Sequence, residues 1–450
     1  MKLSKPQVIR IKKRSQPGWL LWLIIVLPFV FGTLNDLLGL PWAVRYLLDA
    51  AWFALLLLML CFQRQLKLKG LKGLLGWLGL FVLYTAAVYL VEFQSPLYYL
   101  WGARNNFRFF VAFLAFALFL RPEDIDDYLK LFDKLFWVNA VVSLVQFFVL
   151  GYKGDYLGGI FGVTQGCNGY TNIFFVIVVA KSILFYLEKK EAAWRSIAKC
   201  AAALLVAAMA EMKFFFVEFV LILALAVLFT NFTWRKFWVI IGGLSVVSLG
   251  ALLLAVVFPS SAGFLAIEYF WETATSDKGY TSSGDLNRLN ALSQINELWL
   301  TNGAQRLFGL GLGNCDTSSF AAFNTPFYRA NGDMHYTWIS YAFMYLECGW
   351  IGMVFYFGFF VMVYLRAVKT GKYSEGAAKT YCCLTRIVSL CWMLMALYNA
   401  SLRTEAGYMA YLVLAIPFVF EKEKNANRER VRHAEKSAAE HSLQGKGILC

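Results

Sequence analysis

Charge is scarce in this chain. Asp, Glu, Lys and Arg make up 16% of its 450 residues, against about 25% in soluble domains. Histidine occurs three times and proline nine times. None of the nine cysteines forms a C-x-x-C pair, which argues against a zinc or thioredoxin-type site. No G-x-x-x-x-G-K-[ST] loop is present to cradle a nucleotide. Disorder, collagen and coiled coil are excluded by the same counts. What the chain has in excess is apolar surface: 60% hydrophobic residues, with 41 Phe, 23 Tyr and 15 Trp. A water-soluble core cannot absorb that many, so the chain must face lipid.

A transmembrane helix needs about 20 mostly apolar residues. Twelve segments qualify in outline: 19–40, 43–62, 73–93, 106–120, 131–151, 172–188, 197–212, 214–230, 237–258, 337–366, 380–400 and 406–420. The fourth is short and carries Arg108. The tenth is long, with Gly349 and Gly352 near its middle, and reads either as one tilted helix or as a re-entrant piece followed by a helix. The first is too long for a cleaved signal peptide, and no small-x-small site follows it. The expected fold is an all-α polytopic membrane protein of about twelve transmembrane helices with one large external loop containing short helices. Its parts are spans 1–9 with short loops (1–258), the loop (259–336), spans 10–12 (337–420) and a charged cytoplasmic tail (421–450).

With the N-terminus in the cytoplasm, segments on the inside carry 30 of the 42 Lys and Arg, and outer segments carry eight. That asymmetry is the positive-inside pattern. The net charge of +14 is therefore topogenic, and nucleic acid is not an expected partner. Basic runs such as Ile11-Lys12-Lys13-Arg14 favour anionic headgroups. Both termini are expected in the cytoplasm.

The 259–336 loop stands out because the other external loops are short. Within it, 286–299 has the spacing of an amphipathic helix, through Leu289, Leu292, Ile295 and Leu298, with Asp285 as its cap. The run Gly309-Leu310-Gly311-Leu312-Gly313-Asn314 then breaks the pattern and reads as a close turn rather than a phosphate loop. Asp124, Asp126 and Asp127 read as a solvated cytoplasmic face, and Asp36 as a weak candidate at the outer end of the first span. Cys167 and Cys315 are the two cysteines in outer loops; they could pair if the compartment is oxidising, but nothing in the sequence fixes their separation.

Outer-side ionisable groups are site candidates in a membrane protein. His335, at the end of the long loop, is the single His outside the cytoplasmic tail, and a neutral imidazole can take a proton near physiological pH. Arg288 opens the loop helix. Lys213, beside Glu211, sits at an outer turn. Arg403, beside Glu405, precedes the last span. Cations converging from separate segments suit a phosphate or pyrophosphate group. Asp333 and Glu211 are reserve acid–base groups. No metal cluster and no cofactor motif is evident.

The layout, and the stretches Arg288-Leu289-Asn290-Ala291-Leu292, Leu307-Phe308-Gly309-Leu310-Gly311-Leu312-Gly313-Asn314, His335 and Leu346-Glu347-Cys348-Gly349-Trp350-Ile351-Gly352, resemble the O-antigen ligase and O-antigen polymerase (Wzy-type) superfamily. The chain departs from that pattern in three places. The usual proline before the glycine turn is absent. Trp338 holds the usual His position, with His335 three residues earlier. Glu211-Met212-Lys213 replaces a Ser-Arg pair. The resemblance covers about residues 285–365. It implies metal-independent glycosyl transfer from undecaprenyl pyrophosphate on the outer face of a bacterial cytoplasmic membrane. Lys213, Arg288 and Arg403 would then bind pyrophosphate, and His335 and Arg288 would be catalytic. The implied activity is polymerisation of lipid-linked repeat units. The alternatives are a ligase acting on lipid A core and a polysaccharide transporter or flippase. A flippase and a chain-length regulator are the implied partners.

Overall fold

The computed structural model describes residues 16–61, 70–231, 233–259 and 284–446. The basic run at 11–14, the 260–283 part of the long loop with Lys278, and Cys450 lie outside them. Nine helices come first: α1 (Gln16–Leu38), α2 (Leu47–Cys61), α3 (Lys72–Val91), α4 (Pro96–Phe119), α5 (Pro122–Phe148), α6 (Asn168–Leu187), α7 (Ala193–Met209), α8 (Lys213–Phe229) and α9 (Trp234–Val257). The loop region contributes three short ones: α10 (Ala291–Leu298), α11 (Gly303–Phe308) and α12 (Pro326–Asn331). Then come α13 (Ser340–Lys372), α14 (Gly376–Tyr398) and α15 (Gly407–Lys446). There is no strand among the described residues.

The polarity of the bundle is turned outside in. Leu80, Leu83 and Leu90 of α3, Trp238, Leu249 and Val256 of α9, and Val354 and Leu365 of α13 are exposed, while Asn139, Gln146, Lys181 and Glu218 are buried. An exposed apolar surface on this scale belongs in lipid. Eight helices are long and apolar enough to cross a membrane: α1, α2 with the turn before it, α3, α5, α6, α9, α13 and α14. The other four long helices fall short for identifiable reasons. α4 carries Arg104, Asn105, Asn106 and Arg108 in its middle, α7 and α8 stop at 17 residues, and α15 meets Glu421 after 14. The helical tail continues from α15 without a break to Lys446. Two helices are central: α6 is buried from Thr171 to Leu184, and α15 from its start to Val419. A central helix is wrapped by protein, so its composition answers to packing rather than to lipid.

α13 is two pieces. Its residues 340–349 are buried on every face, and Gly349 then takes φ +59 and breaks the helix. The break frees the carbonyls of Leu346, Glu347 and Cys348 from helical partners. The loop supplies replacements: Leu310 N–H donates to Leu346 O at 2.9 Å and Gly311 N–H to Glu347 O at 2.9 Å, while the Tyr84 hydroxyl donates to Cys348 O at 2.7 Å. The glycine run is thus a lock on α13. At Gly313 (φ +87), a Cβ would lie 2.0 Å from the Tyr98 carbonyl oxygen of α4.

The α5–α6 connection, expected to be a short loop, instead folds into the bundle. Gln146 holds Gly159 through both amide atoms (2.8 and 2.7 Å), Asn139 accepts from Ile160 N–H at 2.8 Å, and Asp36 accepts from Val163 N–H at 2.5 Å. Asp36 is spent on this loop. Asp124 accepts from the Arg121 N–H at the start of α5 and Asp126 accepts from the Tyr381 hydroxyl, while Asp127 is exposed. The loop helix starts at Ala291, later than the 286 expected, because Asp285 is turned to His335 instead of capping it. Cys167 and Cys315 are both free, buried thiols and are not paired with each other.

Candidate functional site

Chain reversals place the α1–α2, α5–α6, α7–α8 and α14–α15 connections at one end of the bundle. One cavity of about 680 Å³ collects residues from all four and from the long loop. Its apolar wall is built by Pro28, Phe31, Leu48, Phe161, Phe214 and Phe215, and its charged wall holds Arg45, Lys213 and Arg288 with Asp155, Glu211 and Glu405.

Arg45 lies on the 3-10 turn Trp42–Tyr46, which Pro41 introduces. Its Nε donates toward Glu405 Oε1 at 3.2 Å, and its Nη atoms have no hydrogen-bond partner among the described residues. Glu405 also meets Arg108 Nη1 at 3.4 Å and accepts from the Tyr170 hydroxyl. Burial would push this carboxyl up, but the Arg108 and Arg45 guanidiniums, with the Tyr170 hydrogen bond, outweigh it and hold it at about 2.

Glu211 and Lys213 share the tight turn between α7 and α8, with Lys213 Nζ 3.0 Å from Glu211 Oε1. Glu211 has φ +52, a left-handed conformation costly for a residue with a Cβ. Asn168 ties this turn to the glycine-rich loop, donating to Ala210 O at 3.1 Å and Asp155 Oδ1 at 2.8 Å. Arg288 reaches the cavity from the loop side. Its guanidinium lies 4.7 Å over the Tyr398 ring, which stacks at 4.1 Å on Phe214, the neighbour of Lys213. No carboxylate pairs with Arg288 among the described residues. A guanidinium with no carboxylate partner among the described residues and a half-engaged one therefore share one cavity with an apolar wall.

His335, like Glu211, has a positive φ, at +52. Its Nδ1 is hydrogen-bonded to Asp285, and its ring stacks 3.8 Å from Trp338, which lines the cavity. With the proton on Nδ1 facing the carboxylate, Nε2 is left as the acceptor. His335 therefore stands one ring behind the cavity wall. Arg403 turns away from the cavity, over the Phe343 ring at 3.6 Å and toward Asp316 at 3.9 Å, and its carbonyl accepts from Arg108 at 3.1 Å. Asp333 is exposed on the turn Gly332–Met334 and does not line the cavity. Burial, with Asp36 and Asp155 nearby, pushes the Cys167 thiol up to about 12, so the cavity's one cysteine stays a thiol.

The structure thus brings Arg288, Lys213 and Glu211 together, sets His335 beside them, and leaves Arg403 and Asp333 out. Sequence reading missed Arg45, Asp155 and Tyr170. Arg45 was absorbed into an apolar span. The other two sit on a stretch whose six glycines between 154 and 169 were the available signal for an ordered loop. No family model matches the chain, and no curated protein is similar enough to it to match.

Proposed function

We propose that the chain polymerises undecaprenyl-pyrophosphate-linked oligosaccharide repeat units on the outer face of the bacterial cytoplasmic membrane. In this reading all twelve long helices span, both termini are cytoplasmic, and the cavity lies at the outer end. The observation that carries it is the pairing, in one cavity, of an apolar wall with Arg45, Lys213 and Arg288. A polyprenyl pyrophosphate presents the same two chemistries. The charge asymmetry of the loops supports the orientation, and the local patterns around Arg288, Gly309–Asn314 and Gly349 support the reaction class.

The chemistry follows from the residues. A sugar hydroxyl of one repeat unit attacks the anomeric carbon of another. The bond from that carbon to the pyrophosphate oxygen breaks, and undecaprenyl pyrophosphate departs with the electron pair. Arg288, Arg45 and Lys213 stabilise the charge gathering on it. His335, held by Asp285, takes the hydroxyl proton on Nε2. Glu211, inside the cavity, is the alternative base. Arg45 fills the role expected of Arg403.

The test replaces Arg288 and His335 singly with Ala in a host lacking the native copy, with membrane levels confirmed and the surface glycan resolved by length. Long chains should vanish while a single repeat unit still reaches its acceptor. Accumulation of unattached lipid-linked polymer would identify a ligase instead. A normal ladder from both variants would refute this site.

A further inference from the structure

The end of the bundle far from the cavity carries a cation that the packing leaves unanswered. Arg386 lies inside α14, ten residues or about 15 Å from its first residue, Gly376. α14 is one of the helices long and apolar enough to cross a membrane, so Arg386 stands at membrane depth, where a charge is costly unless it is matched. Helical side chains lean toward the helix N-terminus, which here is the α13–α14 turn, away from the cavity. The guanidinium lies 3.7 Å from the ring centre of Phe229, the last residue of α8, and 5.8 Å from that of Tyr364 on α13.

Two aromatic rings hold the cation without accepting its hydrogen bonds. A guanidinium has five N–H donors. The Arg386 Nε is buried without a partner, and among the described residues no carboxylate and no hydrogen-bond acceptor is paired with either Nη. The carbonyls at the end of α8 are the natural internal acceptors, but three of them are taken. The Thr230 hydroxyl donates to Ala226 O at 2.7 Å, and Lys236 Nζ donates to Val227 O and, at 2.8 Å, to Thr230 O. Cation–π contact offsets part of the cost of the charge and leaves the donors unmet.

The surroundings indicate what meets them. Leu228 precedes Phe229, while Val361 and Leu365 lie one turn before and one residue after Tyr364, and all three are exposed. On a membrane-spanning surface such exposure faces hydrocarbon. Arg386 itself is half-buried rather than sealed in. A free aqueous anion gains nothing from an apolar rim. A phospholipid matches both features, with phosphate oxygens for the guanidinium fork and acyl chains for the rim.

We propose that the crevice between the end of α8, α13 and α14 binds one phospholipid of the leaflet far from the cavity. Its phosphate sits on the Arg386 guanidinium, and its acyl chains run along Leu228, Val361 and Leu365. The headgroup is net anionic, because an ammonium headgroup brings the phosphate its own counter-charge. The site is independent of the glycosyl-transfer reading, and no step of that chemistry passes through it.

The test titrates the full chain, purified in detergent, with phosphatidylglycerol or phosphatidylcholine and reads retained lipid by native mass spectrometry. The wild type should hold one phosphatidylglycerol about tenfold more tightly than phosphatidylcholine. Arg386→Gln should lose that preference, and Arg386→Lys, which keeps the charge and loses the fork, should fall between. Equal phosphatidylglycerol affinity in wild type and Arg386→Gln overturns the proposal. So does full displacement by excess inorganic phosphate, since the occupant would then be a free anion. Should Arg386→Gln fail to fold, the wild type still decides. Phosphatidylglycerol with a diazirine in its acyl chain should crosslink chiefly to the peptides holding Leu228 and Leu365, and crosslinks spread evenly over the lipid-facing helices overturn the site.

Discussion

Glu405 shows how a single residue sets the charge of the site. It is buried among Arg45, Arg108 and Tyr170, and those partners hold its carboxyl at about 2 although burial alone would raise it. Its folded-state value lies below the unfolded one of about 4.3. The resulting stability is therefore fully present above that unfolded value and drains away as pH falls toward 2, and it is worth on the order of 3 kcal/mol. Glu405→Gln should lower the thermal midpoint at pH 7 and should differ progressively less from wild type as pH is taken from 5 toward 3. A difference that does not shrink on acidification would show that the carboxylate charge is not what the guanidiniums hold. Lys213 and Glu211 were legible as candidates because each is an ionisable group at an apolar segment's end, and Arg288 because it opens the amphipathic loop helix. Arg45 was not, because its segment reads as span from Trp42 onward and only the fold shows a 3-10 turn there. Arg403 looked equivalent to them in sequence, yet its partner Asp316, 87 positions away, turns it from the cavity.

At the scale of elements, the kink in α13 and the glycine turn are one device. The Gly349 break exposes three carbonyls that Leu310, Gly311 and Tyr84 satisfy, and a Cβ on Gly349 would lie 2.3 Å from the Leu307 carbonyl oxygen. Gly349→Ala combines that clash with a left-handed φ of +59. It should cost about 2–4 kcal/mol, enough to lower the folded fraction in the membrane. Proteolysis of the 284–339 segment in intact detergent-solubilised protein should speed up in the variant; unchanged cleavage would mean that segment is held elsewhere. The sequence left two readings of residues 337–366 open; the chain breaks at Gly349 into a buried first piece and a partly exposed second one. The α5–α6 loop escaped reading for a physical reason. Its order comes from Gln146, Asn139 and Asp36, which donate or accept across distant backbone groups, and no local periodicity records such bonds.

For the whole molecule, hydropathy alone reached the main result, because lipid imposes the same demand on every exposed face. Each of the twelve apolar segments overlaps one of the long helices, and eight of those helices are long and apolar enough to cross a membrane. What hydropathy could not supply was which helices sit at the centre: α15 and α6 are wrapped on all sides, and that follows from packing between segments far apart in the chain. The central arrangement is what gathers four loop ends around one cavity with both an apolar and a cationic wall.

The most direct measurement of that cavity's role gives the purified full chain, in lipid nanodiscs, the lipid-linked repeat unit isolated from its own host. Products are then weighed by mass spectrometry. The account predicts two or more repeat units on one undecaprenyl pyrophosphate, with free undecaprenyl pyrophosphate released in step, and loss of both products in Arg288→Ala and Arg45→Ala. Recovery of the repeat unit unextended by the wild-type protein, under conditions where it binds, would contradict it.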